Sequence, residues 1–269
     1  MTTGHLLAIT WTWEPSILIG CAALVALYFG LRREIKLDRR ALLYCTGVAA
    51  MFFALTSPLE KLGDTYLFSL HMLQHLLLLL VTPPLMLAGM PPDLMQRFLD
   101  RPRVARLERI LGRPLVAWIL GMGTIWIWHW PALYNAALLD ENIHILEHLC
   151  FLVTATIFWW PILAPVESRR LQPLATIPYL FAAAAASSAL GIILTFSQPG
   201  LYPAYVTPVD RYGALSLIRD TWGLTLAVDQ QLGGLFMWVP GSLVYLSAIL
   251  VGLARWYATP EEDGYQLAR

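Results

Sequence analysis

The stretch YLFSLHMLQHLLLLLVTPPLMLA, residues 66–88, decides the fold of this chain. It contains no Asp, Glu, Lys or Arg. An α-helix of about 20 apolar residues crosses the roughly 30 Å hydrocarbon core of a bilayer. Pro83 and Pro84 predict a kink or frayed turns near the end of this helix, because proline cannot donate a backbone hydrogen bond. The stretch therefore predicts a transmembrane helix.

Six further apolar stretches are long enough to span a bilayer. They lie near 15–31, 41–57, 114–131, 142–163, 174–197 and 229–254. Over the whole chain, 58% of residues are hydrophobic and 13% are charged, which is too apolar for an ordinary soluble domain. The sequence therefore predicts an all-α membrane protein, a seven-helix transmembrane bundle in the lipid bilayer. We expect residues 1–269 to form a single integral membrane domain.

The positive charges are distributed unevenly between the predicted loops. Fifteen of the 18 Lys and Arg residues fall in 32–40, 90–113, 164–173 and the C-terminal tail, which share one side of the bundle. Lys61, Arg211 and Arg219 fall on the other side. Cationic loops stay in the cytoplasm, so this asymmetry predicts an N-terminus outside and a cytoplasmic C-terminus. The formal net charge is zero, and we expect no nucleic-acid partner.

Histidines gather at the predicted outer ends of three spans. His71 and His75 are four residues apart in the third span, and His144 and His148 repeat this spacing in the fifth. Residues four apart lie on one face of a helix. His129 ends the fourth span, and Asp229 begins the seventh at the same predicted depth.

This arrangement predicts a metal site. An imidazole in hydrocarbon is costly and usually faces a partner inside the bundle. Neutral imidazole suits copper and zinc, and copper stands at the top of the divalent affinity order. The predicted metal ligands are His71, His75, His129, His144, His148 and Asp229. The predicted auxiliary residues, which orient a ligand or add a thioether, are Glu147, Met72, Met237, Gln74 and Gln230, with Met122 as a further methionine candidate.

Other interpretations of these residues stay open at this point. His144, Glu147 and His148 match H-x-x-E-H, in which two histidines hold zinc and Glu acts as a general base. The protein would then be a zinc-dependent intramembrane hydrolase. Histidines on facing helices can also ligate haem, as in a membrane electron carrier. His129 alone is equally well explained by a hydrogen bond to a neighbouring helix.

Several longer motifs follow one another in a distinctive order. They are HMLQH with PPLMLAG, WHWPALYN, HILEHLCF with FWWPIL, LGIILTFSQPGLYPAY and DQQLGGLFMWVPGSLVYL. On these motifs the sequence, from about 13 to 256, resembles the CtaG family of Bacillus type, the assembly factors of caa3-type cytochrome c oxidase.

The resemblance implies a non-catalytic role in the bacterial plasma (inner) membrane, the maturation of a haem–copper oxidase. It implies copper as the cargo and the copper-containing catalytic subunit as a partner, with an extracytoplasmic copper donor supplying the metal. The family's recurrent histidines correspond to all five intramembrane histidines named above. The acidic position of its D-Q-x-x-G-G motif corresponds to Asp229.

Overall fold

The computed structural model describes residues 1–32 and 34–258, and all regular structure within these ranges is helical. Two of the cations used to predict the orientation, Arg33 and Arg269, lie outside the described residues. The first seven helices are α1 (Thr3–Ile9), α2 (Pro15–Arg32), α3 (Arg39–Thr56), α4 (Pro58–Thr65), α5 (Phe68–Leu76), α6 (Thr82–Gly89) and α7 (Pro92–Leu99). The next six are α8 (Pro102–Leu111), α9 (Pro114–Trp128), α10 (Pro131–Leu139), α11 (Glu141–Leu163), α12 (Pro173–Phe196) and α13 (Leu226–Tyr257).

Each predicted span coincides with a helix to within three residues at either end. Five helical segments are individually long and apolar enough to cross a membrane: α2, α5 continued through α6, α11, α12 and α13. Two bent pairs raise the number to seven if each pair counts as one span. These pairs are α3 with α4, bent by 42°, and α8 with α9, bent by 69°. The fold is thus a helical bundle with five to seven candidate spans.

The prolines of the third span produce a widened turn instead of a sharp bend. Between α5 and α6 the backbone forms a π-turn over Leu77–Val81. Pro83 has no N–H for the carbonyl four residues earlier, which belongs to Leu79. The indole Nε1–H of Trp159 in α11 donates to that carbonyl at 3.0 Å. A neighbouring helix therefore satisfies the polar group that proline leaves free inside the bundle.

Helices α5, α12 and α13 approach one another closely because small residues line their contacts. A Cβ atom on Gly233 of α13 would clash with the Phe68 ring at the start of α5. A Cβ atom on Gly234 would clash with Thr195 of α12. Small residues at such crossings let helix backbones pack tightly in membrane bundles. The glycines thus fix the position of the start of α5, just before His71.

The two ends of the bundle differ in composition. The histidine end consists of α4, α10, the loop 198–225 and the first turns of α5 and α11. The arginine-rich end carries α7, α8 and the 34–38 loop, where Arg32 pairs with Asp38 at 2.7 Å. Which end faces the cytoplasm stays a prediction from the charge asymmetry.

Candidate metal centre

Helix geometry stacks the histidines in two pairs. In α5 the rings of His71 and His75 have their centroids 4.2 Å apart, and in α11 the rings of His144 and His148 show the same separation. Asp140 begins α11 by accepting hydrogen bonds from the N–H groups of the first turn. The predicted i, i+4 pairs are confirmed as neighbours on their helices.

The two helices bring four side chains together in the buried interior. Ligand atoms of His71, His75, Glu147 and His148, here called the deep quartet, all lie within 4.8 Å of one another. His71 Nε2 is 3.9 Å from Glu147 Oε2, and His75 Nε2 is 3.9 Å from Glu147 Oε1. All four side chains are buried, and Glu147 has no exposed surface. Residues from two separate spans therefore form one compact group of possible ligands.

Most polar side-chain atoms of the deep quartet lack hydrogen-bond partners among the described residues. Both ring nitrogens of His71 and His75, Nε2 of His148 and both carboxylate oxygens of Glu147 are buried and unpaired. Buried polar groups are nearly always paired, and each unpaired group needs an explanation. A metal ion would satisfy several of these atoms at once. Three imidazoles and a carboxylate form a donor set suited to Cu(II) or Zn(II).

A second group of possible ligands adjoins the first. Asp64 of α4 joins His71 and His144, here called the shallow trio, with ligand atoms also within 4.8 Å of one another. Asp64 Oδ1 lies 3.4 Å from His71 Nδ1 and 3.4 Å from His144 Nε2. Glu60, one turn earlier in α4, has Oε1 at 3.9 Å from His144 Nδ1.

Sequence reasoning missed these two acidic residues. Glu60 and Asp64 have the same i, i+4 spacing as the histidine pairs, and this spacing is the signal that could have identified them. They lie on a short helix outside the predicted spans. Their approach to the histidines depends on the 42° bend between α3 and α4.

His129 belongs to neither group, although its ring centroid is 5.6 Å from that of His75. Its Nδ1 lies 2.7 Å from the carbonyl oxygen of Ile125. Because a carbonyl only accepts, Nδ1 carries the ring proton and Nε2 of the neutral ring has a lone pair. Nε2 lies 3.3 Å from Met72 Sδ. His129 and Met72 are thus a buried pair of lone-pair donors beside the deep quartet.

A sequence profile described as that of the cytochrome c oxidase caa3 assembly factors matches residues 22–259. The chain belongs to the caa3 assembly-factor family. The resemblance seen in the sequence motifs is therefore confirmed.

Three proteins of mycobacteria are similar to this family member over 91% of its length. An uncharacterised protein of Mycobacterium leprae is 25% identical, and uncharacterised proteins of Mycobacterium bovis and Mycobacterium tuberculosis are each 26% identical. The chain spans 39% of the length of each of these relatives. No solved structure matches the chain.

In this caa3 assembly-factor family member, Asp229 contacts the first turn of α5. It belongs to neither the deep quartet nor the shallow trio. Its Oδ2 accepts from the backbone N–H of Phe68 at 2.8 Å. Its Oδ1 accepts from the N–H of Ser69 at 3.1 Å and from the Ser69 hydroxyl at 2.5 Å. Leu67, the residue preceding α5, provides no side-chain cap. Asp229 therefore caps α5 from another helix, and its predicted role as a metal ligand gains no support.

The other predicted auxiliary residues have separate structural roles. Gln230 accepts from Gly200 N–H and donates to backbone carbonyls, including that of Ser197, and so holds the loop after α12. Gln74 donates to the Ala54 carbonyl and to Glu60. Met122 and Met237 pack in the hydrophobic core. Glu147 and Met72 are the auxiliary candidates that contact the histidines.

Proposed function

We propose that this caa3 assembly-factor family member binds copper at the deep quartet and passes it to the copper-containing catalytic subunit of the oxidase. The observation that carries the proposal is the convergence of His71, His75, His148 and Glu147 with buried, unpaired ligand atoms. The family description names an assembly role and no reaction. We therefore propose binding and transfer without turnover.

The compactness of the deep quartet favours a metal ion over haem. Axial ligands of haem lie on opposite faces of a porphyrin. The porphyrin nitrogens fill four positions of the iron, which leaves at most two for protein ligands, whereas the deep quartet brings four ligand atoms mutually within 4.8 Å.

The placement of the H-x-x-E-H residues argues against the zinc hydrolase. That mechanism requires both histidines to hold one zinc while Glu acts on water. Here His144 lies in the shallow trio, whereas His148 and Glu147 lie together in the deep quartet. Glu147 is therefore better placed to bind the ion than to activate water beside it.

The charge asymmetry supports the proposed setting. With the arginine-rich end in the cytoplasm of a bacterial plasma (inner) membrane, the histidine end faces the extracytoplasmic space. A copper donor in that space would reach the histidine end directly. Histidine ligands exchange more readily than a closed thiolate cage, as delivery to oxidase subunits requires.

Metal analysis of the purified protein tests the binding step. The full chain in detergent is loaded with copper or with zinc, freed of excess metal and analysed for bound ions. We expect wild-type protein to retain copper and the double variant His75→Ala, His148→Ala to lose it. His5→Ala, on the exposed helix α1, is the matched control and should retain copper. Full copper content in the double variant would overturn the proposed site.

Oxidase maturation in cells tests the transfer step. A strain lacking this protein is complemented with wild-type protein, the double variant or the His5→Ala control. We expect the double variant to reach the membrane at normal levels but to leave the oxidase deficient in copper and activity. Normal copper content of the oxidase in that strain would contradict the transfer role.

A further inference from the structure

A large cavity opens at the histidine end and leads to the shallow trio. Its volume is about 760 Å³, and its lining includes Glu60, Asp64, Glu141 and His144. This volume accommodates a hydrated ion with several waters, each of which occupies about 30 Å³ in the liquid. Asp64 and His144 therefore connect the open cavity to the buried histidines.

The shallow trio has unpaired ligand atoms of its own. Asp64 Oδ1, His71 Nδ1 and His144 Nε2 are buried and have no hydrogen-bond partner among the described residues. His71 is completely buried, and its Nδ1 points toward Asp64 at 3.4 Å. An ion held here would bind one carboxylate and two imidazoles.

His71 belongs to both groups and faces them with opposite ring nitrogens. Its Nδ1 lies beside Asp64 of the shallow trio, and its Nε2 lies 3.9 Å from Glu147 of the deep quartet. A neutral imidazole has one lone pair and one N–H. His71 can therefore bind an ion on one side at a time, while its N–H faces the carboxylate on the other side.

We propose that the shallow trio is a loading position, and that a transition-metal ion passes from it to the deep quartet by changing sides of His71. This inference rests on the proposed function. In the transfer, the bond from the ion to Nδ1 breaks and a bond to Nε2 forms. The ring proton moves from Nε2 to Nδ1, so the ring stays neutral, and no proton or electron is gained or lost. The N–H faces Glu147 before the transfer and Asp64 afterwards.

The two positions differ in what they offer the ion. The shallow trio borders the open cavity, where water can replace ligands that have not yet bound. The deep quartet adds His75 and His148 and removes the ion from the cavity. Because His71 serves both positions, the proposal predicts one ion per chain across the two groups.

The rate of loading tests this proposal. The full chain in lipid nanodiscs takes Cu(II) from a chromophoric chelator while absorbance is followed by stopped flow. Asp64→Asn removes the carboxylate charge from the shallow trio and leaves the deep quartet intact. We expect loading to slow by about tenfold or more, because the ion loses the one carboxylate ligand of the loading position, and losing a group that holds or orients a metal ligand weakens binding by about 10–100-fold. The final copper content should equal that of wild type.

Two further variants make the test specific. Glu141→Gln changes an exposed carboxylate of the same cavity and should leave the rate unchanged. His144→Gln should slow loading as Asp64→Asn does. If Asp64→Asn loads at the wild-type rate, the proposal of a loading position is wrong. The proposal that copper binds at the deep quartet is not affected by that result.

Other outcomes separate the two proposals. Loss of final copper content in Asp64→Asn would mean a single merged site and would overturn the loading position. Two copper ions per wild-type chain would overturn the sharing of His71. If wild-type protein takes up no copper, the proposed function fails and the loading position fails with it.

Discussion

Asp229 of α13 accepts two hydrogen bonds from Ser69 of α5, at 3.1 Å from its backbone N–H and at 2.5 Å from its hydroxyl. Ser69 lies two residues before His71, so this contact fixes the start of the helix that carries two members of the deep quartet. The motif DQQLGG thus holds the scaffold: Asp229 caps α5, and the two glycines allow close packing. The carboxylate of Asp229 therefore acts as a helix cap.

Replacing Asp229 with Asn should reduce stability and leave the copper content unchanged. The amide NH₂ cannot accept from the N–H groups that the carboxylate now satisfies, and a buried donor without a partner costs about 1–3 kcal/mol. Thermal unfolding in detergent measures the loss, and metal analysis measures the copper. Ser69→Ala, which removes one of the hydrogen bonds, should have a smaller effect. Loss of copper from a variant of normal stability would instead make Asp229 a ligand.

Replacing Met72 with Leu should weaken the binding of Cu(I) more than that of Zn(II). Met72 Sδ lies 3.3 Å from His129 Nε2, and a thioether is a soft ligand that favours Cu(I). Competition titrations with the two ions measure the change. Met237→Leu, in the hydrophobic core, is the matched control and should bind both ions as wild type does. Equal affinities in Met72→Leu and wild type would show that Met72 only packs.

Replacing Glu147 with Gln should weaken copper binding by about 10–100-fold, the range found when groups that bind or orient metal ligands are lost. The substitution keeps the side-chain shape and removes the charge that faces His71 and His75 at 3.9 Å. Equilibrium titration of the purified protein measures the affinity, with Glu141→Gln as the control. A hydrolase would behave differently, because it would keep its zinc and lose its turnover.

Replacing Asp38 with Asn should lower the thermal stability at neutral pH. The guanidinium of Arg32 hydrogen-bonds to Asp38 and, with the N–H of Ala41, holds the pKa of this carboxyl well below its usual range. A carboxyl with a lowered pKa contributes stability above its unfolded pKa and loses that contribution as pH falls.

The difference in Tm between wild type and Asp38→Asn should therefore be constant near neutral pH. It should shrink below about pH 4, the ordinary pKa of Asp. Asp93→Asn, on the exposed face of α7, is the control and should give little difference at any pH. A difference in Tm that grows on acidification would contradict the role of Asp38.

Much of the fold was predictable from local sequence. Inside a bilayer every backbone polar group needs a hydrogen-bond partner, and a helix provides nearly all of these partners within its own segment, so long apolar stretches determine where helices lie. All seven predicted spans accordingly match helices to within three residues. The pairing of His71 with His75 and of His144 with His148 follows from the same helical geometry, because residues four apart lie on one face.

The composition of the site was only partly predictable. The sequence alone placed five histidines at one end of the bundle and left open which of them share a site. It could not show that Asp64 reaches His71 and His144, because that contact depends on how α4 turns back after α3. It could not separate Glu147, which faces the histidines, from Asp229, which faces the N–H groups of α5.

Local contacts and tertiary contacts explain why the helices were predictable and the partners of the carboxylates were not. The sequence determined which residues are helical and which share a helix face, since both depend on contacts within a few residues along the chain. A buried carboxylate must find positive charge or N–H donors, and a metal site and a helix N-terminus both offer them. Only the packing of α13 against α5 decided between these partners for Asp229. Only the packing of α11 against α5 placed Glu147 between His71 and His75.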